Sequence, residues 1–132
     1  MDTLNIGVVG CGYWGPNLIR NFASLDGVNL KTICDADPAR LSHMRSRFPG
    51  VETETEFERL VADPMVSAVA VATPVRFHYS MAKALLEAGK SVFIEKPMAS
   101  SSAECEELVH LAESRGLTLM VGHTFLYSAP IR

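Results

Sequence analysis

The sequence predicts a three-layer α/β fold with a mostly parallel six-stranded sheet and helices on both faces. Short apolar runs alternate with amphipathic stretches from end to end, the pattern of βαβ units. The run SAVAVAT at 67–73 is small and β-branched, which suits a strand covered by helices on both sides. With 132 residues, 48% of them hydrophobic, the chain holds one core and one domain, spanning 1–132.

The elements follow in order. Leu4 to Val9 reads as the first strand. After a glycine cluster, Leu18, Ile19, Phe22 and Leu25 fall at helical spacing, and Pro16 suits a first turn that needs no donor from it. Asn29 to Cys34 is a second strand. Asp37-Pro38 then supplies an N-cap and a first-turn proline for a helix with Leu41, Met44 and Phe48 on one face. A short third strand around Val51 precedes Thr55 and Glu58, whose spacing is that of a capping box for a brief helix through Val61. Val66 to Ala72 is the fourth strand. The helix after it should turn Met81, Ala84, Leu85 and Ala88 inward and stop at Gly89. Ser91 to Ile94, a helix from Ser101 to Arg115 with Glu104 in a capping box, and Leu117 to Val121 complete the pattern.

Twelve Lys plus Arg against fifteen Asp plus Glu give a formal charge of −3, which lacks the basic footprint of a nucleic-acid binder or a membrane-surface protein. The three cysteines, Cys11, Cys34 and Cys105, form no CxxC pair, so neither a disulfide framework nor a zinc site is expected, and a reducing, cytoplasmic compartment fits. No apolar run approaches the roughly 20 residues that cross a bilayer, and no basic leader precedes the first strand. The final GHTFLYSAPIR stops just as a strand hands over to another element, so a piece of a longer protein is expected.

Gly10-Cys11-Gly12-Tyr13-Trp14-Gly15 lies between the first strand and the first helix, the context in which G-x-G-x-x-G carries information. The first glycine permits the tight turn, the second lets backbone amides approach a pyrophosphate, and the third lets helix and strand pack closely. The anion then sits on a helix N-terminus. Asp35 ends the second strand 20 residues after the third glycine, where a carboxylate can accept from both hydroxyls of an adenosine ribose and repel a 2′-phosphate. That favours NAD over NADP; Arg40, five residues on, keeps NADP open. Asp37 already serves as the local helix cap.

Thr73-Pro74 ends the fourth strand and should line the crevice at the carboxyl ends of the strands. His78 reads equally as a residue touching the cofactor or as a solvated first-turn histidine. Glu95-Lys96-Pro97 ends the fifth strand on the same side. A lysine half-buried beside a cofactor can exchange protons at neutral pH, although the residues alone lean toward an ordinary surface loop. Tyr13 and Trp14 would cover the phosphate loop or face another domain. Cys11 reads as inert, and Glu104, Glu106 and Glu107 crowd a helix start, where the dipole explains them without a metal.

Together the GxGxxG start, the TPxxxH segment, AGKSVFIEKP and the VGH strand resemble the N-terminal Rossmann domain of the Gfo/Idh/MocA family of NAD(P)-dependent oxidoreductases. The resemblance covers nearly the whole chain. It implies hydride transfer between a nicotinamide and a hydroxyl-bearing carbon of a small-molecule sugar, nucleotide sugar or cyclitol. It assigns Lys96 to the reacting hydroxyl as the catalytic residue and Glu95 to the nicotinamide ribose. Thr73, Pro74 and His78 then surround the nicotinamide half, and His123 faces nicotinamide or substrate. GYWGPN and GHTFLY resemble members acting on nucleotide sugars or related polyols. The family carries a second domain that holds substrate and is not found in these 132 residues, so the chain alone is expected to bind cofactor without turnover, within a homo-oligomeric parent. A stand-alone NAD-binding sensor is the alternative, against which Lys96 argues. A methyltransferase would leave Glu95-Lys96-Pro97 unexplained.

Overall fold

A computed structural model of the protein describes residues 4–10, 19–20, 24, 26–95 and 97–122. Within them, β1 (Leu4–Val9) and β2 (Val28–Cys34) are followed by α1 (Pro38–Arg47), β3 (Glu52–Glu54) and α2 (Phe57–Ala62). Then come β4 (Ala68–Val71), a 3₁₀ turn (Val75–Phe77), α3 (His78–Glu87), β5 (Ser91–Glu95), α4 (Ser102–Ser114) and β6 (Leu119–Gly122). The six strands form one sheet in the order β3-β2-β1-β4-β5-β6. Every neighbouring pair is parallel, where the sequence promised mostly parallel pairing. Of the helix expected after the glycines, Ile19 and Arg20 are helical, Ser24 lies in a turn, and the rest lies outside the described residues.

Alternation along the strands divides the core between the two faces. Val69, Val71, Val92 and Ile94 pack with Leu85, Leu86, Leu108 and Ala112 of α3 and α4. Ala70 joins Ile6, Val8, Ile33, Ile19 and the α1 residues Leu41 and Met44, with Phe93 against them. Burying each Leu or Ile removes roughly 1.5–3 kcal/mol worth of apolar surface from water, so both layers of helices are held by the sheet. Asp37 caps α1 as expected: its side chain accepts from the Ala39 amide at 2.9 Å, and Pro38 occupies the first turn.

Four local expectations are corrected. The fourth strand starts at Ala68 because the Val66 amide donates to Asp63 O at 3.2 Å, closing the turn after α2. The sixth starts at Leu119 because the Leu117 amide donates to Ala112 O at 2.9 Å, ending α4. Thr55 does not cap α2; Glu56 precedes that helix in extended conformation, and its amide donates to Glu54 Oε2 at 3.0 Å. The buried stripe of α3 is His78, Ala82, Leu85 and Leu86, rotated from the expected one because the stripe begins with a histidine used inside the protein.

In this order the chain runs outward from β1 to β3, then returns to β4 on the other side of β1. The reversal lies between β1 and β4, and in open α/β sheets ligands bind beyond the strand ends at such a point.

Candidate functional site

Gly10 leaves β1 at the reversal. Its amide donates to Cys34 O at 2.8 Å, and the Ala72 amide donates to Val9 O at 2.8 Å, which ties the ends of β2, β1 and β4 together. The residue has φ +99°, a region that favours glycine. A Cβ there would lie 2.8 Å from Ala72 O and 3.1 Å from Thr73 Cγ2. The first glycine of the cluster is therefore fixed both by backbone conformation and by close approach of the β4 end. Gly12, Tyr13, Trp14 and Gly15, together with Lys96 and His123, lie outside the described residues.

Asp35 follows β2 and is 8% exposed. Its Oδ1 accepts from the Asp37 amide at 2.8 Å, which sets the carboxylate's orientation at the crevice edge. Arg40 places Nη1 3.9 Å from Asp35 Oδ2 and Nε 3.8 Å from Asp37 Oδ2, so its exposed guanidinium lies beside the carboxylate. Cys34, next to Asp35, is a different case: burial first, then the nearby Glu54, Asp35 and Glu58 carboxylates, push its thiol up to about 12. A thiol so perturbed stays protonated and inert at neutral pH.

Glu95 stands at the crevice end of β5, in register with Gly122 of β6. Its Oε2 is buried with no hydrogen-bond partner among the described residues. A buried acceptor left unpaired costs about 1–3 kcal/mol, so this atom calls for a donor such as a sugar hydroxyl. Beyond the neighbouring β4, Thr73 Oγ1 donates to Met81 Sδ at 3.5 Å, and Pro74 opens the 3₁₀ turn by accepting from the Phe77 amide at 3.0 Å. Phe77 is 39% exposed and carries the Arg76 guanidinium 4.7 Å from its ring centre.

His78 is not a solvated first-turn residue. It is 1% exposed, with Nε2 2.8 Å from Thr73 O and Nδ1 2.8 Å from Pro97 O. Its ring thus joins the segments that leave β4 and β5. At the other end of the sheet, sequence reasoning missed Lys90, which is 4% exposed and donates to Asp63 O at 2.6 Å and Val66 O at 2.8 Å. The Gly89-Lys90 doublet before a strand was the available signal. Desolvation lowers the Lys90 pKa, against the pull of Asp63.

The described part of the crevice thus offers a glycine turn that excludes side chains, an oriented carboxylate on one flank and an unpaired buried carboxylate oxygen on the other. This set fits a ligand with a phosphate to approach backbone and hydroxyls to donate. Among the described residues no group of three or more His, Cys, Asp or Glu could hold a metal.

Comparison with known proteins agrees with this geometry. Residues 4–123 match the model of the Gfo/Idh/MocA family, described as an oxidoreductase family with an NAD-binding Rossmann fold. The chain is 36% identical over 115 residues to an inositol 2-dehydrogenase of Saccharopolyspora erythraea, covering 86% of this chain and 34% of that protein. It is 32% identical over 123 residues to a scyllo-inositol 2-dehydrogenase (NADP(+)) of Bacillus subtilis, covering 93% and 34%. Among solved structures, GenD2 from gentamicin A biosynthesis in complex with NAD superposes with a TM-score of 0.87 at 30% identity, covering 92% of this chain and 35% of that one. The chain therefore spans about a third of the length of these relatives.

Proposed function

The chain belongs to the Gfo/Idh/MocA oxidoreductase family with its NAD-binding Rossmann fold, and from that premise we propose that it is the cofactor-holding part of a dehydrogenase acting on a sugar, nucleotide sugar or cyclitol. The observation that carries the reading is the turn at Gly10, where φ +99° and the 2.8 Å approach of Ala72 O keep the reversal between β1 and β4 clear of side chains. Relatives named as inositol dehydrogenases support the cyclitol end of the substrate range.

In this reading Gly10, Gly12 and Gly15 admit the pyrophosphate, with Tyr13 and Trp14 over it. Asp35 accepts from the adenosine ribose, which favours NAD, since a 2′-phosphate would face the carboxylate. Arg40 beside Asp35 softens that repulsion and keeps NADP as the weaker ligand. Glu95 Oε2 takes a hydroxyl of the nicotinamide ribose, while Thr73, Pro74 and His123 flank the nicotinamide. When bound, the cofactor supplies the carbon that gives or takes a hydride. Lys96 accepts or returns the proton of the substrate hydroxyl as the carbon is oxidised or reduced. Substrate capture falls to a second domain of the kind the family carries, and the chain alone binds cofactor without turnover.

Amide chemical shifts of the ¹⁵N-labelled chain, followed during NAD titration, test the reading. Gly10, Asp35, Thr73 and Glu95 should move together. Shifts confined to the opposite edge, around Asp63 and Lys90, would refute it.

A further inference from the structure

His78 occupies an unusual place for a histidine at a helix start. Each ring nitrogen faces a backbone carbonyl at 2.8 Å, Nε2 toward Thr73 and Nδ1 toward Pro97. The ring is 1% exposed, so water does not compete for either contact. A neutral imidazole carries one N–H and serves one of these acceptors, whereas the doubly protonated ring serves both. Buried hydrogen bonds of this kind are expensive to leave unmade, because each carbonyl has already lost its water.

The two acceptors belong to different segments. Thr73 O lies just beyond β4, and Pro97 O lies just beyond β5, its neighbour in the sheet. Both segments leave the sheet at the crevice. Pro97 has no amide and a fixed φ, so its carbonyl is the main-chain group by which that segment can be pinned. Met98 packs against the core beside it, and Ala99 is 6% exposed, which anchors the downstream side. The residue immediately upstream of Pro97 is Lys96.

We propose that His78 is a positioning residue for Lys96: by binding the Pro97 carbonyl through Nδ1, it fixes the segment after β5 against the segment after β4. The proposal rests on the reading of Lys96 as the group that handles the substrate proton. Histidine suits this role because its rigid ring places one nitrogen 2.8 Å from a carbonyl of each loop, a span that no single hydroxyl could bridge. Its contribution to the reaction is geometric, and its ring does not exchange protons with substrate.

Two substitutions separate the two contacts. In His78→Asn the side-chain amide nitrogen replaces Nδ1 and can still reach Pro97 O; in His78→Gln it replaces Nε2 and reaches Thr73 O instead. The experiment measures the backbone order parameter at Met98 by ¹⁵N relaxation, and the ¹³Cε shift of Lys96 before and after saturation with NAD. Order at Met98 should fall below about 0.6 in His78→Gln and stay at the wild-type value in His78→Asn. The response of Lys96 to NAD should be lost in Gln and kept in Asn. Equal behaviour of the two variants, or retention of both signals in Gln, would overturn the proposal. The Met98 measurement needs no cofactor, so failure of the wild-type chain to bind NAD would refute the functional reading separately. If either variant fails to fold, the wild-type chain decides by coupling across the hydrogen bond from Nδ1 to the Pro97 carbonyl carbon: its presence upholds the tie and its absence overturns it.

Discussion

A Cβ on Gly10 would stand 2.8 Å from the carbonyl oxygen of Ala72, nearer than real side chains approach backbone oxygen. The contact joins the first glycine of the fingerprint to the end of β4, so the cofactor turn and the sheet reversal are one structural feature. The fingerprint asks for glycine at this position because of the tight turn. Here the protein's own β4 end also imposes it.

Gly10→Ala should therefore destabilise the chain by about 2 kcal/mol or more. Strain at φ +99° and the clash with Ala72 act together. Chemical denaturation measures it, and a loss under about 0.5 kcal/mol would show that the β4 end moves aside.

Thr32→Val should stabilise the protein. Thr32 is 5% exposed in β2, and its Oγ1 has no hydrogen-bond partner among the described residues. Replacing that hydroxyl by a methyl group of similar shape removes an unmet polar group, a gain of about 1 kcal/mol. The melting temperature should rise by about 4 °C. A fall would mean that the hydroxyl is satisfied in solution.

Lys90→Met should cost about 2–4 kcal/mol. The substitution keeps the apolar stem but leaves the Asp63 and Val66 carbonyls without their donor. Because Lys90 lies at the edge opposite the crevice, NAD affinity of the folded fraction should change less than twofold. Denaturation and calorimetry together check both halves of the expectation.

Cys34 links stability to alkaline pH. Its folded pKa is pushed from 9.0 up to about 12. Between those values the unfolded chain has lost the proton that the native chain keeps. The stabilisation is thus complete below pH 9 and lost progressively as pH rises toward 12. At pH 8 the thiolate fraction is about a thousandfold below that of an ordinary thiol, so iodoacetamide should modify Cys34 only after unfolding. Rapid labelling of the native chain would contradict the burial.

Much of this was legible in the sequence. Apolar runs ending in Val9, Cys34 and Ala72 place three strand ends correctly or within one residue, because parallel strands buried on both faces are written as continuous apolar text. Asp37-Pro38 marks its helix start for an equally local reason. What failed was set by tertiary contacts. His78 left two readings open, a cofactor contact or a solvated first-turn residue, and carbonyls from two loops draw it inside. Lys90 drew no reading of its own from the sequence, because its partners lie in the turn after α2, whose two acceptors are 24 and 27 residues away in sequence. Of the site, Gly10, Asp35, Thr73 and Glu95 all lie at the carboxyl ends of their strands, β1, β2, β4 and β5. The orientation of Asp35 by the Asp37 amide and the unpaired Glu95 oxygen depend on packing that no motif encodes.

Calorimetric titration of NAD and NADP into the wild-type chain and Asp35→Ala tests the central claim most directly. The reading predicts tighter binding of NAD than of NADP by the wild type. Asp35→Ala should weaken NAD about tenfold to a hundredfold, as loss of charged hydrogen bonds to a ribose implies, and should narrow the preference. Equal or tighter binding of NADP by the wild type, or unchanged NAD affinity in Asp35→Ala, would contradict it.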